Sequence, residues 1–360
     1  MAAFSGTLNA NEIYAALYNM IISQEVFADN IAGTNGSFLD ANRVDGTLYG
    51  DQKLYYSADI LKTVPWGADL EAPNLLSLDR PAAPEVQAIV LNQFRQIRLT
   101  LDNYLSKRAW GTEGAFSQFN SVMLAWISDT KRVYDSTYFN AFVGTDKSTI
   151  GGQNPTVALS GILSTDEEEI ARLTAQMIGN KVADLFVAMG DPSRAFNDYG
   201  QMRSYNEEDI VVVWNADWYN KILKIDLPTI FHNDGIIAKL DGYKLPGKYF
   251  GDVYAAAGTS IAGDRATVEA DYTVGGVTTH VFPGEELPVG ASYAAGAAYA
   301  VNPDYIAKIT VRGSVPFMSA FEVGTNFWNP RSLTENHYLT WGYNTLEHLK
   351  GKPWITLEAS

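Results

Sequence analysis

The chain has 360 residues, 46% of them hydrophobic and 19% charged, which is enough apolar sequence for two or three packed cores, or one core with long excursions, and excludes a disordered tail. With 41 acidic and 26 basic side chains the formal charge is -15, a balance that repels phosphate and argues against direct nucleic-acid binding, though it suits a wall along which DNA moves without sticking. Cysteine is absent, so a disulfide framework, a thiol nucleophile and a Cys-based zinc site are excluded.

The start, Met1 to Phe4, lacks the basic residues of a signal peptide, and the run Met20-Ile21-Ile22 is far too short to span a bilayer, which predicts a soluble cytosolic product with no membrane partner. Asn9 to Ile31 reads as an amphipathic helix. Asn9 and Glu12 are spaced as a capping box, and Ile13, Leu17, Met20, Ile21, Phe27 and Ile31 share one stripe, so this arm needs a partner surface. The cluster Ala32 to Ser37 separates it from the rest, and the Asn35-Gly36-Ser37 sequon is taken as chance.

Two β-prone runs follow, Leu54 to Val64 and Val86 to Leu105, with Pro65-Trp66-Gly67 and Pro81 to Pro84 between them. They predict a long hairpin. Within its second strand Ile97, Leu99 and Leu101 alternate with Arg98, Thr100 and Asp102, which gives one apolar face. A ribbon has no core of its own, so that face is expected to rest on a neighbouring subunit or on a helix of the same subunit.

Thr112 to Val143 has the three- and four-residue spacing of a long helix, carried by Phe116, Phe119, Met123, Trp126, Ile127, Tyr134, Tyr138 and Phe142 and ended at Gly144. A second helix is predicted from Ser164 or Thr165 to Gly190. Its acidic first turn, Asp166 to Glu169, faces the positive end of the helix dipole, which makes the cluster a capping feature and not a metal site. Ile210 to Trp214 suits a central strand, and Asn215 then caps a short helix through Trp218 and Ile222. Tyr272 to Thr278 reads as a hairpin with a Gly-Gly turn in a Gly- and Ala-rich stretch, and further strand-like runs cover Ile309 to Arg312, Phe317 to Val323 and His337 to Trp341.

Motifs for catalysis are sparse. No dinucleotide fingerprint, Walker loop, HExxH or EF-hand is present, and Gly258 to Gly263 has one residue too many for a nucleophile elbow. His232, His280, His337 and His348 have no i, i+4 partner for a metal, and Glu335 with His337 or Glu347 with His348 are adjacent pairs of the kind found by chance. No cofactor or metal is implied. The 20 Tyr, 16 Phe and 8 Trp fit buried cores and subunit contacts, or a sugar-stacking platform built from Trp214, Trp218, Tyr219, Trp328, Tyr338, Trp341, Tyr343 and Trp354. The platform is the basis of an alternative reading, a secreted or surface glycan- or solute-binding protein.

The order of arm, long hairpin, long helix, α/β unit and returning strands resembles the Hong Kong 97 type fold of tailed-phage major capsid proteins, an α+β fold, over essentially the whole chain. Ile210 to Trp218 looks like that family's axial strand and helix, and Thr334 to Asn344 is similar to C-terminal segments of capsid proteins from small gut-type phages. The resemblance implies an N-terminal arm over residues 1–49, an extended loop over 50–105 and a peripheral domain with a spine helix over 106–160. An axial domain over 161–302 and return strands of the peripheral domain over 303–360 complete it. It implies a structural, non-enzymatic subunit that assembles with itself into hexamers and pentamers of an icosahedral or prolate head. Scaffold, portal and decoration proteins are its further partners. The head encloses double-stranded DNA and is assembled in the bacterial cytoplasm. No Lys-Asn pair can be assigned to the covalent crosslink of some members, so noncovalent stabilisation is expected. The expected assembly residues are Ile13, Leu17 and Ile21 on the arm and Ile97, Leu99 and Leu101 on the ribbon.

Overall fold

The computed structural model describes residues 37–46, 50–63, 78, 80–102, 113–223, 242–252, 270–281, 287, 289–294 and 300–360. The expected arm helix, with Ile13, Leu17 and Ile21, lies outside these residues, as do His232 and the stretch Gly258 to Gly263.

In chain order the elements are α1 (Ser37–Ala41), β1 (Arg43–Asp45), β2 (Gln52–Ser57), β3 (Glu85–Asp102), α2 (Glu113–Thr145), β4 (Thr156–Val157), α3 (Glu167–Gly190), β5 (Ile210–Asn215) and α4 (Ala216–Leu223). Then come β6 (Tyr243–Leu245), β7 (Gly251–Asp252), β8 (Ala270–Val274), β9 (Val277–Val281), β10 (Ser292–Tyr293), β11 (Ala300–Val301), β12 (Tyr305–Val311), β13 (Phe317–Asn329), β14 (Thr334–Asn344) and β15 (Trp354–Ala359).

Two five-stranded sheets organise the molecule. One has the order β1-β13-β14-β3-β2, the other β4-β15-β12-β5-β6. The second is an α/β sheet whose central strands β5 and β12 are largely buried, which is why Ile210-Val211-Val212-Val213-Trp214 reads as an unbroken apolar run. On one face it carries α3 and α4, where Ile178, Val182 and Met189 meet Val212, Trp214, Ile309 and Ile355 in one core. Its other face contributes Val213, Tyr305 and Trp354 to a second core. There they meet Tyr134, Tyr138 and Phe139 of α2, with Phe317, Trp341 and Tyr343 of the first sheet. The C-terminal half of α2 is thus held between the two sheets, and ring-on-ring edges such as Tyr138 with Tyr343, 5.3 Å between centroids, fill the gap.

Two expected helix bounds are corrected here. The long helix runs through Gly144 to Thr145. Gly144 does not stop it but lets it pass a neighbour, since a Cβ there would lie 1.9 Å from the Tyr249 carbonyl oxygen. Helix α3 begins at Glu167, not Ser164 or Thr165, because the Asp166 side chain accepts from the Glu168 N–H at 3.1 Å and serves as the cap. The strands of the closing stretch 303–360 divide between the two sheets. β13 and β14 join β3, while β12 pairs with both β5 and β15 in the α/β sheet. The strand β15 was not foreseen at all.

The short helix α4 is set by Asn215, whose Oδ1 accepts from the Asp217 N–H at 3.1 Å while its Nδ2 donates to the Tyr305 carbonyl at 2.8 Å. The β8–β9 hairpin turns at Gly275 and Gly276 with φ of 58° and 83°, the left-handed pair of a two-residue turn, and β10 adds a third strand beside β8. A small separate pair joins β7 and β11.

Candidate functional site

The ribbon of β2 and β3 is the element whose surface is least accounted for by the subunit's own cores. Its strands pair antiparallel from Gln52 with Val90 to Ser57 with Glu85, and beyond residue 92 the strand β3 continues inside the sheet as the partner of β14. The register slips between Tyr343, opposite Gln93, and Asn344, opposite Leu91. Asn92 is the extra residue, and its Oδ1 accepts from the Thr345 N–H at 3.0 Å. The odd-numbered residues of β3 are the less exposed ones on both sides of this bulge, so the strand keeps one inward face along its length.

On one side of the bulge the odd residues face α2. Ile97 packs against the core that holds Tyr134 and Tyr138, Leu101 is buried, Leu99 is half-buried, and the Arg95 guanidinium lies 5.3 Å from the Tyr134 ring. Of the two supports expected for this face, the geometry gives Ile97 a contact with the core that holds α2 of the same subunit. On the other side of the bulge Ile89 and Leu91 are buried with Met318, Ala320 and Leu349, and their opposite face is open. Leu54, Tyr56, Val86 and Val90 point outward there, Tyr56 with 67% of its surface exposed. This apolar patch was not singled out from the sequence, although the alternation of Leu54 and Tyr56 with Lys53 and Tyr55 carries it.

The root of the ribbon is tied to the loop after α3. Asp59 meets Arg194 at 2.6 Å and accepts from the Met202 N–H at 2.9 Å, and these contacts, the Met202 N–H foremost, pull its carboxyl down to about 2. Gln201 Nε2 donates to the Ser57 carbonyl at 3.1 Å, and the Arg203 guanidinium donates to the Ala58 carbonyl at 2.7 Å. From the β3 side, Gln87 Nε2 donates to the His348 carbonyl at 2.9 Å and Gln87 Oε1 accepts from the Lys350 N–H at 2.9 Å.

The remaining candidates resolve as follows. Glu347 engages Gln87 at 3.2 Å and not His348, whose ring nitrogens face Asp146 and Asp198 instead. Glu335 and His337 sit 3.6 Å apart. The aromatic set does not form one platform: Trp214, Trp218, Trp341, Tyr343 and Trp354 are buried in the two cores, and Trp328 is exposed near the β13–β14 turn beside Phe327. Among the described residues no group of three or more His, Asp or Glu is arranged to hold a metal.

A family model of Phi29-like phage major capsid proteins matches residues 4–344. The chain belongs to that family. It is similar in fold to a chain in the capsid structure of Staphylococcus phage Andhra, with a TM-score of 0.57 and 13% identity over 90% of this chain and 84% of that one. It is likewise similar to a chain in the structure of the head fibre and inner core protein of native bacteriophage P68, with a TM-score of 0.57 and 14% identity over 89% and 83%. No curated protein matches. The fold is the Hong Kong 97 type α+β capsid fold, and the subunit is a major capsid protein, a structural component of the phage virion that assembles with copies of itself into the head shell.

Proposed function

We propose that the capsid subunit closes its shell by laying the outward face of the ribbon, Leu54, Tyr56, Val86 and Val90, on a neighbouring copy. The observation that carries this is an apolar face left open on an element whose root is fixed to the body of the subunit. An aromatic and aliphatic patch on a rooted strand pair loses little conformational entropy on docking. The subunits then group into hexamers and pentamers, a closed arrangement in which one patch meets a different patch on the next copy. The shell encloses double-stranded DNA without sequence-specific contact and is assembled in the host cytoplasm. Scaffold, portal and decoration proteins are its further partners. The subunit does this work without catalysis. The N-terminal arm, with Ile13, Leu17 and Ile21, is a second assembly element.

The test is the pair Leu54→Asp and Tyr56→Asp. Both positions are exposed, so the subunit should melt within about 0.5 kcal/mol of the parent. Electron microscopy should find few or no closed particles. Normal particles from the double variant would remove the ribbon face from the assembly surface.

A further inference from the structure

The connection between β14 and β15 holds a charge arrangement that shell building does not by itself require. His348 Nδ1 lies 2.5 Å from Asp146 Oδ2, just past the end of α2, and Nε2 lies 2.9 Å from Asp198 Oδ2 in the loop after α3. The ring stacks on Trp354, with centroids 5.5 Å apart and planes 3° apart. A neutral imidazole has one N–H, whereas the imidazolium donates from both nitrogens, so two carboxylate partners select the charged ring.

We propose that His348 is a charge clasp that fixes the root of the ribbon to the body of the subunit and lets it go in alkaline solution. The linkage is direct. The His348 carbonyl and the Lys350 N–H are the two groups that Gln87 of β3 bonds, and the Lys350 carbonyl accepts from the Asp198 N–H at 2.8 Å. Three and five residues beyond Asp198, Gln201 and Arg203 hold Ser57 and Ala58 at the end of β2. Both strands of the ribbon therefore hang from peptides that the clasp draws together.

The surrounding charges fix the direction of the response. Burial alone would lower the His348 pKa, but the hydrogen bonds to Asp146 and Asp198 outweigh it and hold the ring at about 9. Asp198 is also under burial, yet His348, Ser148 and Gln153 together pull its carboxyl below the ordinary range. Lys308 of β12 is fully buried, bonds the Asp146 carbonyl and Thr356, and lies 5.0 Å from the Trp354 ring. Burial pushes it down to about 7, with Asp146 opposing that shift. Lys147 pairs with Glu358, while Glu85 and Glu347 act with Asp198 on Tyr199.

A base raised from 6.5 to about 9 contributes stability that is complete below 6.5 and is lost as pH rises through 9. Lys308, depressed from 10.5 to about 7, gains stability over the rise from 7 to 10.5. The two oppose one another globally, so the clasp is read locally.

Hydrogen exchange by mass spectrometry on the full chain, corrected for intrinsic exchange, separates them. Between about pH 7.5 and about pH 10, peptides covering 52–57 and 85–91 should lose about tenfold or more in protection, while 210–215 and 305–311 keep theirs. His348→Gln should show the loosened ribbon root already at the lower pH, with no further change on raising it. Asp198→Asn, which leaves the ring one carboxylate, should move the parent's transition to lower pH. Protection at the ribbon root that is unchanged over this range in the parent, or identical in Asp198→Asn and the parent, would overturn the clasp.

Discussion

At the scale of single residues, the capsid subunit places a carboxylate where its charge is a liability. Asp135 of α2 is 1% exposed, 3.6 Å from Lys131, which in turn holds Glu322 at 3.1 Å. Burial pushes its carboxyl up to about 6, and Lys131 and Arg43 only partly restrain it. An acid raised above its unfolded value of 3.8 favours folding in its protonated form, so stability declines as pH rises from 3.8 through 6 and is level above that. The rise from 3.8 to about 6 corresponds to roughly 2 to 3 kcal/mol. Asp135→Asn should remove that slope. Denaturant unfolding at about pH 4 and about pH 6, below the range in which His348 and Lys308 act, should show the parent losing stability relative to the variant as pH rises. Equal slopes in the two proteins would mean that Asp135 is solvated or better paired than its surroundings indicate.

At the scale of elements, the ribbon strand shows how far the sequence could be read. The alternation of Ile97, Leu99 and Leu101 with polar neighbours is a local signal, and the structure keeps it: Arg98 and Thr100 are exposed and Leu101 is buried. What the strand packs against is a nonlocal fact. β3 is paired with β14 from Asp102 with Thr334 to Leu91 with Asn344, and nothing near residue 97 names that partner. The bulge at Asn92 is nonlocal in the same way, since it is defined by the pairing with β14 and leaves the odd residues of β3 facing inward on both sides. The same limit applies to His348, whose sequence neighbour Glu347 was legible while Asp146 and Asp198 come from other elements. The helices α2, α3 and α4, the Gly-Gly hairpin and the strand Ile210–Asn215 were legible because period, caps and turn residues are local. β15 was missed, its six residues ending in Glu358 and Ala359 and giving little pattern.

One substitution decides between the two surfaces of this strand. Ile97→Asp puts a charge against the core of Tyr134 and Tyr138, so the subunit itself should lose about 2 to 4 kcal/mol. Circular dichroism melting reads it. A variant that melts like the parent but forms no particles would show that the 97–101 face belongs to contacts between copies and not to the spine helix.

At the scale of the whole molecule, each subunit brings a formal charge of -15 to the shell. Copies gathered edge to edge repel over a distance set by salt, about 30 Å at low ionic strength and about 8 Å under physiological conditions. The attractive surface proposed on the subunit is apolar and insensitive to screening, whereas the repulsion between acidic bodies is not. Raising salt should therefore favour assembly, against the usual behaviour of interfaces built on opposite charges. The same charge should keep the inner wall from gripping packaged DNA, since no net counterion release rewards contact between two polyanions. Light scattering of purified subunit should show faster and more complete particle formation at about 300 mM than at about 10 mM NaCl. A gel-shift with duplex DNA should show no retention at either. Assembly that weakens as salt rises would place charge pairs, not the ribbon's apolar face, at the centre of the contact between copies. Salt-sensitive DNA binding would reveal a basic patch segregated on one surface despite the acidic total.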